Sequence, residues 1–173
     1  MTAQPAALLR LSRALVGFLR LFNLAMVAVA VAMFTASFAF EPAFREFFTR
    51  KPDGVASGLL MPLLRVWMVL ALPVLAAAHV LYTRLLEMID AVRAGEPFAA
   101  QNAARLTTIG WCLLVGQIFD LVCGVMAKAM TMAGSDIDWT FSPTGWLAVL
   151  LVFVLARVFE EGSRIRGELG EMI

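Results

Sequence analysis

Charged residues are scarce in this chain of 173 residues, where they make up 16%, whereas about 25% is ordinary for a soluble domain. Hydrophobic residues make up 61%, above the roughly 45–50% of soluble folds. A soluble protein of this size has too much surface per unit volume to hide so many apolar side chains. The composition therefore excludes an ordinary soluble domain and indicates a protein surrounded by lipid.

Cysteine and histidine are also rare. Cys112 and Cys123 lie eleven residues apart on one predicted helix, too far apart to be bonded to each other. The single histidine, His79, cannot form a zinc or haem site alone, because such sites need several convergent ligands. We therefore expect no metal, no cofactor and no disulfide framework.

Motifs that carry catalysis are missing as well. The chain has no glycine-rich phosphate loop, no His-Glu-x-x-His and no Gly-x-Ser-x-Gly. Its net charge of +1 provides no field that would favour nucleic acid. We therefore expect no catalytic residues, no enzymatic activity and no direct binding of nucleic acid.

Four apolar stretches are candidates for helices that cross the hydrocarbon layer, which is about 30 Å thick. They cover approximately 21–40, 59–81, 106–127 and 145–159. The sequence therefore predicts an all-α integral membrane protein, a four-helix transmembrane bundle that forms one domain over 1–173. A cleaved signal peptide is the competing interpretation of the N-terminus, although the first apolar run exceeds the roughly 7–15 residues usual for one.

Basic residues predict the orientation, because they favour the cytoplasmic side of a membrane. Nine basic residues lie on the side of the membrane that contains both termini, and five lie on the opposite side. We therefore place both termini in the cytoplasm.

Spans two and four are predicted to continue as helices into the cytoplasm. Span two runs to about Ala94, where Gly95 can adopt the left-handed conformation that ends a helix. Span four continues through Glu160 and Arg164, which are four apart in the favourable order. The simpler interpretation is that both extensions are solvated helix ends. The more specific interpretation is that they form a surface that docks a cytoplasmic partner. The candidate docking residues are Glu87, Arg93, Gly95, Pro97 and Phe98.

Two charged residues fall inside the predicted spans, where an unpaired charge is costly. Arg65 lies about 9 Å from the outer end of span two, and Asp120 about 10 Å from the outer end of span three. Because these helices are antiparallel, we predict that Arg65 and Asp120 form an ion pair inside the bundle. Its role is either to fix the register of the two helices or to form a ligand site that Gln117 also lines. The alternative to a pair is that each charged side chain extends separately toward the membrane surface.

Several short motifs together resemble a known family. They are the turn Gly95-Glu96-Pro97-Phe98, the Asn102 and Arg105-Leu106 that follow it, and the ending Phe159-Glu160-Glu161-Gly162. In this combination the chain resembles the bacterial membrane family called domain of unknown function 2975. It departs from the family pattern at Ala99, where serine or threonine is common, and in its C-terminal finish.

The resemblance implies a multi-pass protein of the bacterial inner membrane. Genes of that family often neighbour a small helix-turn-helix regulator, so the resemblance also implies a transcription regulator as partner. It supplies no catalytic residues.

Three functions remain open at this point. The first is a non-enzymatic regulatory or interaction protein that docks a cytoplasmic partner. The second is a small transporter or ligand-binding membrane protein that uses Arg65, Gln117 and Asp120. The third is a membrane-embedded enzyme, for which the chain offers too few convergent polar groups. Besides the lipid bilayer, a second copy of the chain is a further candidate partner.

Overall fold

Long helices dominate the computed structural model, which describes residues 3–43, 46, 60–96, 99–132 and 139–170. Each of the four contains a stretch long and apolar enough to cross a membrane. This confirms the predicted all-α fold with four candidate membrane-spanning helices. The helices are α1 (Ala3–Ala39), α2 (Leu60–Arg93), α3 (Ala100–Met132) and α4 (Pro143–Gly170).

The helices are longer than the apolar stretches that they contain. The 34 residues of α2 extend over about 50 Å, whereas the hydrocarbon layer is about 30 Å thick. α2 continues to Arg93 and α4 to Gly170, which confirms the predicted helical extensions. Pro143 begins α4, since proline has no backbone N–H to leave unpaired in the first turn.

The end of α2 has the predicted glycine cap. Gly95 has φ +83°, a conformation that glycine adopts without steric cost. The Gly95 amide donates to the Val92 carbonyl at 3.1 Å, and the Glu96 amide donates to the Ala91 carbonyl at 3.0 Å. These two bonds satisfy carbonyls that the helix itself leaves unpaired. Pro97 and Phe98, also named for this turn, lie outside the described residues.

The four helices pack as an open row in chain order. α1 packs against α2, α2 against α3 and α3 against α4, and no other pair makes more than a marginal contact within the described ranges. On α2, Arg65 contacts α1 while Trp67 lies edge-on to Phe119 of α3. Residues two positions apart in the chain point in directions about 200° apart around a helix. α1 and α3 therefore lie on opposite sides of α2.

The row leaves a large apolar surface uncovered. The chain exposes 11982 Å², whereas a compact soluble protein of 18.9 kDa would expose about 8,300 Å². Leu15, Leu150 and Leu151 are among the large side chains that are more than half exposed. Such a surface is stable in lipid, which solvates apolar side chains.

Candidate functional site

The end of the row that includes Arg84 and Arg105 carries most of the arginines and is here called the arginine-rich end. A cluster of polar side chains joins α2 to α3 there. Arg84 donates from Nη1 to both carboxylate oxygens of Glu87, at 2.9 and 3.1 Å. Arg105 of α3 donates from Nε to Glu87 Oε2 at 3.0 Å. One carboxylate therefore holds two guanidinium groups, one on its own helix and one on the neighbouring helix.

Asn102 fixes the second side of Arg105. The Asn102 side chain is fully buried, and its Oδ1 accepts a hydrogen bond from Arg105 Nη1 at 2.8 Å. Gln101 Oε1 accepts from Arg105 Nη2 at 3.4 Å. All three guanidinium nitrogens are thus engaged, so Arg105 is held in one orientation. Asn102 and Arg105 are part of the family resemblance, but the sequence did not assign them to a site. Their spacing of three residues, which places them on one helix face, was the signal that could have done so.

A groove of about 290 Å³ lies beside this cluster, between α2 and α3. Its lining combines charged and small side chains. The lining residues are Arg84, Glu87, Gln101, Ala104, Arg105 and Thr108.

The candidate docking residues occupy two different environments. Glu87 belongs to the interhelical cluster and its side chain is 33% exposed. Arg93 lies at the exposed end of α2, with Nη1 3.7 Å from Asp90 Oδ1. Asp90 also accepts from Arg13 of α1, at 2.8 and 3.4 Å. Glu87 therefore holds helices together, whereas Arg93 is available at the surface.

The C-terminal part of α4 carries only short-range ion pairs among its described side chains. Arg157 pairs with Glu160 at 2.8 Å, and Arg164 pairs with Glu161 at 2.6 Å. All four side chains are more than half exposed. Pairs of this kind contribute little to stability, so they do not fix α4 to the rest of the row.

Arg65 has a different partner from the one predicted. It donates from Nη2 to the Ser37 carbonyl at 2.8 Å and to Glu41 Oε2 at 3.0 Å. Its guanidinium carbon lies 4.0 Å from the centre of the Phe38 ring. The predicted ion pair with Asp120 is therefore wrong, because Arg65 projects toward α1 and satisfies a carbonyl in the last turn of that helix.

Asp120 and Gln117 do not join Arg65 in one site. The Asp120 side chain is exposed on α3. Gln117 lies against Gly145, where a Cβ atom would overlap the amide group of Gln117. Gln117 therefore contributes to the packing of α3 against α4.

Two buried polar atoms have no hydrogen-bond partner within the described structure. They are Oδ1 of Asn23 in α1 and Nδ1 of His79 in α2. Asn23 is fourteen residues from Ser37, and His79 is fourteen residues from Arg65. Since Ser37 and Arg65 are in contact and the helices are antiparallel, Asn23 and His79 lie at the same level of the α1–α2 interface. No three potential metal ligands cluster anywhere in the described chain.

Comparison with known proteins identifies one family. A family model described as "Protein of unknown function (DUF2975)" matches residues 47–173. This range includes α2, α3 and α4, and α1 precedes it. No curated protein and no solved structure matches the chain.

Proposed function

We propose, from the premise that the chain belongs to the DUF2975 family of unknown function, that it is a non-enzymatic regulatory membrane protein whose arginine-rich end docks a cytoplasmic protein. The proposal includes placement in a bacterial inner membrane with both termini in the cytoplasm, as the distribution of basic residues favours. The partner class that the family resemblance suggests is a small helix-turn-helix regulator.

The exposed ion pairs at the ends of α2 and α4 carry this proposal. Arg93 and Arg164 each lie beside an acidic residue of their own helix, and their side chains are 44% and 66% exposed. Both arginines bind only acidic residues of their own helices among the described side chains, so a partner can bind them without breaking a bond between helices. Alternating charges of this kind favour selective recognition of a complementary protein surface.

Reversal of charge at these two positions tests the proposal. The chain carrying Arg93→Glu and Arg164→Glu is co-expressed with a small helix-turn-helix protein of the proposed partner class, and the amount that co-purifies in mild detergent is measured. We expect the unaltered chain to retain the regulator and the double variant to lose at least about tenfold, since like charges at an interface cost several kcal/mol.

Lys128→Glu is the matched control, because it reverses an exposed charge near the opposite end of α3. It should leave co-purification unchanged. The proposal fails if the unaltered chain does not retain the regulator, or if Lys128→Glu weakens retention as much as the double variant does.

The alternative, a transporter or ligand-binding protein built on Arg65 and Asp120, has less support. Arg65 is engaged with Ser37 and Glu41 of the α1 end. Gln117, the third residue of that site, packs against Gly145. The three side chains therefore provide no common cavity for a ligand.

A further inference from the structure

α1 exposes a regular series of apolar side chains on a side that does not face α2. Over residues 7–20, the large apolar side chains that are more than half exposed are Leu8, Leu11, Leu15 and Phe18. Their spacing alternates between three and four residues, which is the heptad repeat of a coiled coil. The repeat continues through four more exposed residues, Phe22, Ala25, Val29 and Ala32. These eight residues form one stripe along the helix, here called the α1 seam.

The α1 seam is separate from the side of α1 that packs against α2. Val16 and Asn23 belong to the packed side, and each follows a seam residue by one position, which is about 100° around the helix. Arg13, which binds Asp90 of α2, is two residues from Leu15 and points about 200° away from it. Within the described ranges α1 makes no more than a marginal contact with α3 or α4. The seam is therefore open at the edge of the row.

Lipid does not cover the N-terminal part of the seam. The ion pair of Arg13 and Asp90 is about half exposed and would be costly inside the hydrocarbon layer, so this level of α1 lies outside that layer. Leu8 is five residues farther out, or about 8 Å. α1 is one continuous helix through this region, so Leu8 and Leu11 do not lie flat among the headgroups. These two side chains face water unless another protein surface covers them.

A second copy of the chain has the properties that the seam requires. Two copies in one membrane have the same orientation, so their α1 helices are parallel and each seam residue meets its own counterpart across a two-fold axis. Heptad positions of parallel helices interlock in this arrangement.

The charges of α1 are compatible with this pairing. The heptad positions that border the seam outside the membrane and at its surface are uncharged, namely Ser12, Ala14, Leu19 and Leu21. Arg10, Arg13 and Arg20 lie at heptad positions that do not border it. No arginine of one copy would therefore lie against an arginine of the other, a contact that would oppose association.

We propose that two copies of this chain form a parallel dimer through the α1 seam. Leu8 and Leu11 pair outside the hydrocarbon layer, where their burial is favoured by water. Ala25 and Ala32 pair within it, and their small side chains let the two helices approach closely, which favours association in lipid. The dimer does not depend on the docking of a cytoplasmic protein, which uses exposed residues of α2 and α4.

Disulfide cross-linking in membranes tests the seam. The background is a chain without its own cysteines, Cys112→Ala with Cys123→Ala. Leu15→Cys then places a thiol on the seam, and Gly17→Cys places one at nearly the same level on another side of α1. No neighbouring atom lies within 4 Å of a Cβ at Gly17, so a cysteine fits there. We expect oxidation to link Leu15→Cys chains in pairs, because counterpart residues of a parallel pair lie within disulfide reach, and to leave Gly17→Cys chains unlinked.

Polar residues at the water-exposed part of the seam should break the dimer. We expect the unaltered chain to have the mass of two copies by native mass spectrometry in mild detergent. Leu8→Gln with Leu11→Gln should raise the dimer dissociation constant at least about tenfold, a factor that the burial of one leucine can supply. Arg10→Gln is the control, because it alters an adjacent residue that does not border the seam, and it should leave the dimer intact. Thermal unfolding verifies that each variant keeps the row of helices.

The proposal is overturned if the unaltered chain has the mass of one copy or of more than two. It is also overturned if Leu15→Cys and Gly17→Cys cross-link to the same extent. Retention of the dimer in Leu8→Gln with Leu11→Gln would overturn it as well, because another surface would then hold the two copies together.

Discussion

The α3–α4 interface depends on close packing of aromatic rings against glycines, whereas the α1–α2 interface depends on polar contacts. A Cβ atom at Gly110 would lie 3.0 Å from the ring of Phe153 in α4, and one at Gly124 would overlap the ring of Trp139, four residues before α4 begins. Trp111 adds an edge-on contact with Phe153 at 5.5 Å between ring centres. Glycine thus provides the space that an aromatic side chain from the neighbouring segment occupies.

The α1–α2 interface depends on polar contacts near its two ends. Arg13 binds Asp90 near the arginine-rich end, and Arg65 binds the Ser37 carbonyl at the other. Between these points the buried or half-buried side of α1 recurs every three or four residues. That side includes Val16, Leu19, Asn23, Val27, Ala30, Phe34 and Ser37.

The difference follows from lipid as a solvent. Lipid chains are as apolar as leucine, so helices in a membrane associate through close packing and hydrogen bonds rather than through the hydrophobic effect. α3 and α4 use close packing, and both lie within the range matched by the family model. α1, which precedes that range, packs its half-buried side against α2 and adds polar bonds near both ends.

A large side chain at Gly124 should produce the largest effect. Leucine there would displace Trp139, which precedes α4, from its contact with α3, and overpacking of this kind costs about 1–3 kcal/mol. We expect Gly124→Leu to lower the unfolding temperature in detergent by several degrees. Gly116→Leu is the control, because no neighbouring atom lies within 4 Å of a Cβ at that position. Equal losses in the two variants would show that α3 does not pack closely at Gly124.

Removal of the carboxylate at Glu87 should have the next largest effect. Arg105, whose side chain is 20% exposed, would lose its charged partner, and we expect Glu87→Gln to destabilise the protein by about 2 kcal/mol. Glu161→Gln also removes a carboxylate from an ion pair, but that pair lies within α4 and its side chains are more than half exposed. Its effect on thermal unfolding should be near zero. Similar losses would mean that Glu87 does not join α2 to α3.

The partner of Arg65 can be tested by charge exchange. Arg65→Glu should destabilise the protein by about 1 kcal/mol, and the addition of Glu41→Arg should recover part of that loss, because the two positions face each other. Asp120→Arg in the same background should recover nothing. Thermal unfolding of the single and double variants measures these effects. Recovery of stability with Asp120→Arg rather than with Glu41→Arg would contradict the structure.

The sequence was sufficient for the helices but not for this contact. Apolar length predicted the four helices, and the glycine at 95 predicted where α2 ends. Counting residues gave Arg65 and Asp120 the same depth in the membrane. The depth of a residue does not determine the direction in which its side chain points around the helix axis. Trp67 contacts α3, and Arg65 lies on the opposite side of α2. Pairing also required knowing that α1 and α3 flank α2.

The same limit applies to the cluster at the arginine-rich end. The sequence singled out Glu87 as an exposed docking residue because charged residues alternate with apolar ones along this part of α2. Its bond to Arg105 depends on the register between α2 and α3, which a pattern within one helix does not determine.

The smallest effect is expected at Asn23, in the centre of the polar interface. Its side chain is 6% exposed, and its Oδ1 has no partner among the described residues. An unsatisfied buried acceptor costs free energy, so a leucine of similar size should leave thermal stability unchanged or raise it slightly. His79 lies at the same level, and combining Asn23→Leu with His79→Leu should give an additive result.

A coupling of about 0.6 kcal/mol or more between these two positions, the average for hydrogen bonds between membrane helices, would contradict this expectation. It would mean that Asn23 and His79 bind each other in the membrane, and that α1 is held to α2 at its middle as well as near its ends. The α1–α2 interface would then have a continuous series of polar bonds along its length, and its contrast with the glycine–aromatic packing of α3 and α4 would be greater still.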